Sequence, residues 1–185
     1  GNDPRAADTA TRAYARRDGV SERERLYITQ HYHRFGDGDL DRSIASLELS
    51  RQLYPRDPAT RVNLASHFLL IGRPGDALVE AQAATVLNPD NLSAYNNVAT
   101  ALVNLGRVAD ARAALDDAGR RGLVAPGPSP IRNALAFIDG ITGFVPTGGR
   151  IDFDDREITS APPHQRSRLG LARTWQSLEL FDDLT

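Results

Sequence analysis

No cysteine, no methionine and no lysine occurs in the 185 residues of this chain. Without cysteine there is no disulfide, no thiol nucleophile and no cysteine-built zinc site. Every one of the 22 basic residues is arginine, so chemistry that needs an ammonium group has nothing to draw on. Methionine is missing even at position 1, so a processed or excerpted piece of something longer, or a start that is not shown, is expected. Long apolar runs are lacking too. The longest, such as "HFLLIG" at 67–72, fall far short of the roughly 20 residues a spanning helix needs. The opening "GNDPRAADTATRAYARRDG" holds no apolar stretch of signal-peptide type, so a cytoplasmic protein without direct membrane insertion is expected. Neither sign of charge is in excess. The net of −2 leaves no strong field for nucleic acid.

What is present is a repeat. Gly38, Gly72 and Gly106 follow one another at intervals of 34 residues. Pro55 and Pro89 keep the same interval, as do Asn63 and Asn97, Ala65 and Ala99, Phe68 and Leu102, and Ala77 and Ala111. A period of this length is the mark of stacked supersecondary units. Three units result: 24–57, 58–91 and 92–125. Asp57 and Asn91 stand where a short side-chain oxygen can accept from the first turn of a helix. Pro58 then occupies the first helical position, where its missing N–H costs nothing. Tyr95, Val98, Ala99 and Leu102 form a stripe at the helical period, and Gly106 ends it in a left-handed conformation. A second helix follows with Val108, Ala111, Leu115 and Ala118 on its buried face. Residues 4–17, with Ala6, Ala10, Ala13 and Tyr14 in step, predict one more helix, the second half of a unit. The fold class is therefore all-α, a solenoid of about seven helices over residues 1–124.

With its 34-residue period, the small residues at the eighth and twentieth positions, the glycine at the fifteenth and the proline at the thirty-second, the chain resembles the tetratricopeptide repeat family. Units 58–91 and 92–125 fit well. In unit 24–57 His31 and Ser43 replace the small alanines. That stretch looks like repeat arrays of bacterial signalling proteins that are often joined to serine/threonine kinase domains, but no kinase motif is present. The resemblance implies a concave groove lined by the first helix of each unit. It places there Arg25, Ile28 and Tyr32; Val62, Asn63, Ser66 and Leu69; and Asn96, Asn97, Thr100, Val103 and Asn104. The surface is nearly uncharged and rich in asparagine, whose side chain both donates and accepts and so suits an extended peptide backbone. Some relatives clamp a C-terminal carboxylate with basic residues. Apart from Arg25 those are missing, and no such clamp is expected.

The repeats stop near Leu123. Residues 125–137 read as a Pro/Gly-rich linker, and 138–185 as a short tail of mixed or irregular structure. "GRIDFDD" alternates like a strand with no sheet partner in the chain. "RSRLGLARTW" predicts a basic amphipathic helix, with Leu169, Leu171 and Trp175 apolar, able to cover the end of the last repeat.

The words "ITGF", "PTGGRI", "PPH", "RLGLART" and "LELFDDLT" come in an order that resembles the ATP-binding subunit of branched-chain amino-acid ABC transporters. The resemblance makes Gln176 the Q-loop glutamine. The P-loop that such a subunit needs would lie just before, where glycine N–H groups and a lysine hold phosphate. The chain has "GPSPIRNALA" there, with Pro130 lacking an N–H and no lysine anywhere. No ATP binding, no cofactor and no catalysis is expected.

His31 and His33 are two apart, a spacing that does not make a helical metal site. "DGDLD" at 37–41 lacks the distal glutamate of a calcium loop and reads as a solvated turn with Asp39 near a helix N-terminus. The sequence thus predicts a non-catalytic module that binds a peptide or partner protein in its groove. The alternatives are an inactive transporter-ATPase fragment fused to a repeat array, and a spacer without a ligand.

Overall fold

The computed structural model describes residues 4–123, 129–144 and 148–171. Its helices are α1 (Pro4–Tyr14), α2 (Glu22–His31), α3 (Leu40–Leu53), α4 (Pro58–Leu70), α5 (Pro74–Leu87), α6 (Leu92–Asn104), α7 (Val108–Arg120), α8 (Pro130–Thr142) and α9 (Pro163–Arg168). Each of α1 to α7 packs on the next, as a helical solenoid requires.

The local chemistry explains where the helices begin and end. Asp57 and Asn91 cap α4 and α6, their side chains accepting from the N–H groups of Ala59 and Ala94. Ser21 and Glu24 close a reciprocal capping box at the start of α2, and Asp39 caps α3. Both α4 and α6 end at a glycine with positive φ, 71° at Gly72 and 76° at Gly106. There the chain reverses through paired bonds, Arg73 N to Phe68 O and Arg107 N to Leu102 O, each 2.8 Å. A Cβ would strain this conformation, which is why the same residue recurs at this point of the period.

One apolar cluster runs from Ile44 and Leu47 on α3, through Leu64, Ala65, Phe68, Ala77, Ala81, Val98, Ala99, Leu102, Ala111 and Leu115, to Leu135 on α8. The alanines at facing positions are fully buried, which lets the helix axes approach. A charged polar group lies in this stack. Glu80 on α5 is buried and bonds to Arg51 of α3 and, at 2.7 Å, to Arg61 of α4.

Two expectations for the C-terminal part are corrected. The stretch 125–137 is not linker throughout, because α8 starts at Pro130 and runs across the boundary set at 137. Ser129 caps it and Pro130 takes the first helical turn, the same device that starts α4. Helix α8 docks on the solenoid. Leu135 enters the core, Arg112 of α7 bonds to Asp139 and to the Leu135 carbonyl, and Arg132 of α8 donates to Leu115 O at 2.7 Å. The role foreseen for a helix around 166–175, covering the end of the last repeat, is thus taken by α8. Helix α9 stops at Arg168, with Gly170 at φ 100°, and residues 172–185, which hold Trp175 and Gln176, lie outside the described ones.

The second correction concerns "GRIDFDD". Its strand has a partner nearby: β1 (Asp152–Phe153) pairs antiparallel with β2 (Arg156–Glu157). Asp154 and Asp155, at φ 51° and 58°, form the tight turn between them, a conformation that a short acidic side chain tolerates better than most. The hairpin and α9 are tied to α8 by one side chain. The guanidinium of buried Arg166 donates to four backbone carbonyls, those of Gly140, Ile141, Thr159 and Ala161, at 2.6 to 2.8 Å.

Candidate protein-binding groove

Helices α4 and α6 lie side by side, and the residues predicted for the groove divide between them. Val62, Asn63, Ser66 and Leu69 on α4 are half-buried. So are Asn96, Asn97, Thr100 and Val103 on α6, with Asn104 exposed at its end. Their spacing is fixed by Asn97. Its amide nitrogen donates to Val62 O at 3.0 Å and contacts Ser66 Oγ at 3.2 Å, so it holds the two helices in register. Both N–H groups of Asn97 are thereby engaged within the chain. Thr100 likewise returns its hydroxyl to Asn96 O.

The first unit does not continue this surface. Tyr32 was expected in the groove, but its ring lies flat on Tyr14 of α1, with centroids 4.0 Å apart and planes 13° apart. The cause is a turn of π-helix at Tyr32–Gly36, closed by Asp37 N bonding to Tyr32 O. The extra residue swings the end of α2 toward α1, where the two rings stack and are half-buried. Ile28 faces α1 as well, in the cleft between α1 and α2. Arg25 is exposed and sits 3.8 Å from Glu22. Between α2 and α4 a cavity of about 290 Å³ opens, walled in part by Leu26, Gln30, Thr60 and Asn63.

Below that cavity lies a buried polar junction that sequence reasoning missed. His67 of α4 is 5% exposed. Its Nδ1 bonds to Asn63 O at 2.7 Å and its Nε2 lies 2.8 Å from Ser43 Oγ on α3. Ser43 Oγ also donates to Gln30 O on α2 at 2.7 Å, so the hydroxyl links α2, α3 and α4. Burial holds the His67 pKa below its usual value against the bond to Asn63, and the positive charges of Arg34 and His31 push the same way as burial. The signal was present in the sequence. His31 and Ser43 stand where the other units carry alanine, and a polar pair at a close-packed position asks for a partner.

The loop at 37–41 is a structured turn: Asp37 accepts from Asp39 N at 3.0 Å and from His33 at 2.9 Å.

No known family model matches the chain. Part of it is similar to a transporter subunit. Over 60 residues it is 46% identical to the high-affinity branched-chain amino acid transport ATP-binding protein BraF of Pseudomonas aeruginosa. That stretch is 32% of this chain and 23% of the relative, so the chain spans about a quarter of the length of the curated protein it matches. No helix among the described residues is long and apolar enough to cross a membrane.

Proposed function

We propose that this chain is a tetratricopeptide-type repeat protein of the cytoplasm that binds a peptide or partner segment along α4 and α6, without catalysis. The observation that carries the proposal is the row of half-buried, uncharged side chains on these two adjacent helices, set at fixed spacing by Asn97. Such a surface gains from contact with an extended peptide. Val62, Leu69 and Val103 offer apolar area, and Asn63 and Asn96 offer amide groups for its backbone. The experiment is selection of a displayed peptide library on the purified chain, followed by calorimetric titration of the enriched peptide. Asn63→Ala with Asn96→Ala is expected to weaken it by about tenfold, the worth of one to two hydrogen bonds. Binding that ignores both substitutions sinks the proposal.

A second reading rests on the 46% likeness to a transporter ATP-binding subunit, as a fragment of such a subunit joined to the repeats. It is expected to bind no nucleotide, because no lysine is available to reach the phosphates. Titration with a fluorescent ATP analogue in the presence of Mg²⁺ checks this, and saturable binding would overturn the expectation that the fragment is inactive.

A further inference from the structure

Asn97 ties α6 to α4, but the residue one period before it ties nothing. Asn63 stands on α4 where Asn97 stands on α6, and Ile28 on α2 where Val62 stands on α4. The bond from Asn97 to Val62 O has no counterpart between Asn63 and Ile28. Among the described residues the Asn63 carboxamide has no hydrogen-bond partner. Helices α2 and α4 stand apart, and the cavity of about 290 Å³ lies between them, with Leu47 and Ser50 of α3 behind it. Its walls are internal to the chain, with α1 before them and α5 after.

Buried Leu26 and Leu47 give the cavity an apolar lining. Two of its polar side chains are satisfied: Ser50 and Thr60 bond at 3.0 Å, and Thr60 donates to Asp57 at 2.8 Å. Two others are not. Gln30 is 2% exposed; its amide nitrogen is turned to the His31 ring, and its amide oxygen has no donor among the described residues. Asn63 is the second. The junction below holds both at one depth, since Ser43 donates to Gln30 O and bonds to His67, which bonds to Asn63 O. A buried acceptor without a donor costs free energy, and a ligand that brings the donor removes that cost. The charges around the cavity are paired, Arg23 with Asp57 and Glu24 with Ser21, so the complementary group is neutral. It needs an apolar body for the leucines and a tip that both donates and accepts. A phenol has both on a stiff side chain, whereas a glutamine offers the same tip at a larger loss of rotamer freedom.

We infer that the cavity between α2 and α4 is a pocket for a tyrosine side chain of the partner segment. The hydroxyl donates to the amide oxygen of Gln30 and accepts from the amide nitrogen of Asn63. This rests on the reading of the chain as a peptide-binding module and adds the residue that anchors the peptide.

N-acetyl-L-tyrosinamide titrated into the isotope-labelled full chain tests the pocket without any peptide, so its failure is distinct from failure of the groove. The side-chain amide resonances of Gln30 and Asn63 are expected to shift saturably, with a Kd of about 1 mM. The corresponding phenylalanine and glutamine amides are expected to bind at least about tenfold more weakly, the first because it leaves Gln30 without its donor. Gln30→Met keeps the volume and the backbone bond to Ser43, and is expected to bind the tyrosine and phenylalanine amides equally. Asn63→Leu, at a half-buried position, is a second check, expected to weaken the tyrosine amide about tenfold and not the phenylalanine amide. The inference is overturned if neither resonance shifts saturably, if the phenylalanine or glutamine amide binds as well, or if the tyrosine preference survives both substitutions. Peptides enriched on the chain without a tyrosine also overturn it, and leave the groove along α4 and α6 standing.

Discussion

Arg166 of α9 presses its guanidinium against the end of α8, with Nη1 2.7 Å from the carbonyl oxygen of Gly140. Helix C-termini leave carbonyls without partners, and here one arginine serves the last turn of α8 and the strand-to-helix loop together. Gly143, at φ 81°, gives the guanidinium its room, since a Cβ there would come within 2.9 Å of Arg166 Nε.

Arg166→Met is therefore expected to release the segment 148–171 from α8 and leave the solenoid intact. Limited proteolysis should cut that segment about tenfold faster than in the wild type, because the four carbonyls lose their donor. Resistance of α1–α7 should stay unchanged. Unaltered cleavage of 148–171 would show that the arginine does not hold it.

Helix α8 depends on a different contact. Arg112, part-exposed, and buried Asp139 join α7 to α8. A double-mutant cycle with Arg112→Ala and Asp139→Ala is expected to give a coupling of about 1 kcal/mol, discounted for solvent screening. Urea unfolding followed by circular dichroism measures it. A coupling indistinguishable from zero means that Leu135 and the bond from Arg132 to Leu115 O dock the helix without this ion pair.

Glu80 is expected to be the most costly polar position to truncate. Its carboxylate is buried between Arg51 and Arg61. Glu80→Ala leaves two guanidinium groups without their counter-charge and should cost about 3 kcal/mol in chemical denaturation. Glu80→Gln, which keeps the volume and one acceptor, should cost less. Equal losses for the two substitutions would mean that packing, and not charge, decides.

His67 gives the stability a pH dependence of known sign. Its pKa is lowered in the folded chain, chiefly by burial, while in the unfolded chain it titrates near its ordinary value of about 6.5. Above that value both states hold the ring neutral and the full stability is present. As pH falls below it, the unfolded chain takes up a proton that the folded chain refuses. Stability then declines toward the folded pKa, by at most about 1.4 kcal/mol per pH unit for this group. His31, shifted the same way by burial, adds to the slope. Urea midpoints between pH 7.5 and 5.5 should fall for the wild type and fall less for His67→Gln. Identical slopes would remove His67 from the account.

The solenoid was legible because its period, caps and stop signals agree in units 58–91 and 92–125. Asp57–Pro58 starts a helix and Gly72 ends one, and the same chemistry returns with Asn91 and Gly106. Helix α8 was missed for a reason found in the same vocabulary. Ser129–Pro130 is a helix start, but among the prolines and glycines of 124–130 it read as a breaker. Arg166 could not be found from spacing, since its carbonyl partners are backbone atoms that any sequence supplies. For the groove, the residues expected on α4 and α6 lie on two adjacent helices. Residue identity did not anticipate that Asn97 would spend its amide on Val62, or that a π turn would carry Tyr32 onto Tyr14. Both depend on how neighbouring helices meet.

The apolar cluster that runs from α3 to α8 takes no residue from α1 or α2. Helix α2 meets α3 partly through a polar joint, Gln30 with Ser43, and Ser43 in turn bonds to His67 of α4. A chain held at its two ends feels the same tension in every link, and it yields first where the joint is polar and directional. Hydrogen bonds at such a joint give way over an ångström or two, while interdigitated alanines and leucines must be drawn apart over a longer path. Under load, α1 and α2 would peel away as one early, low-force step, and the rest of the rod would stay closed until the tension rose further.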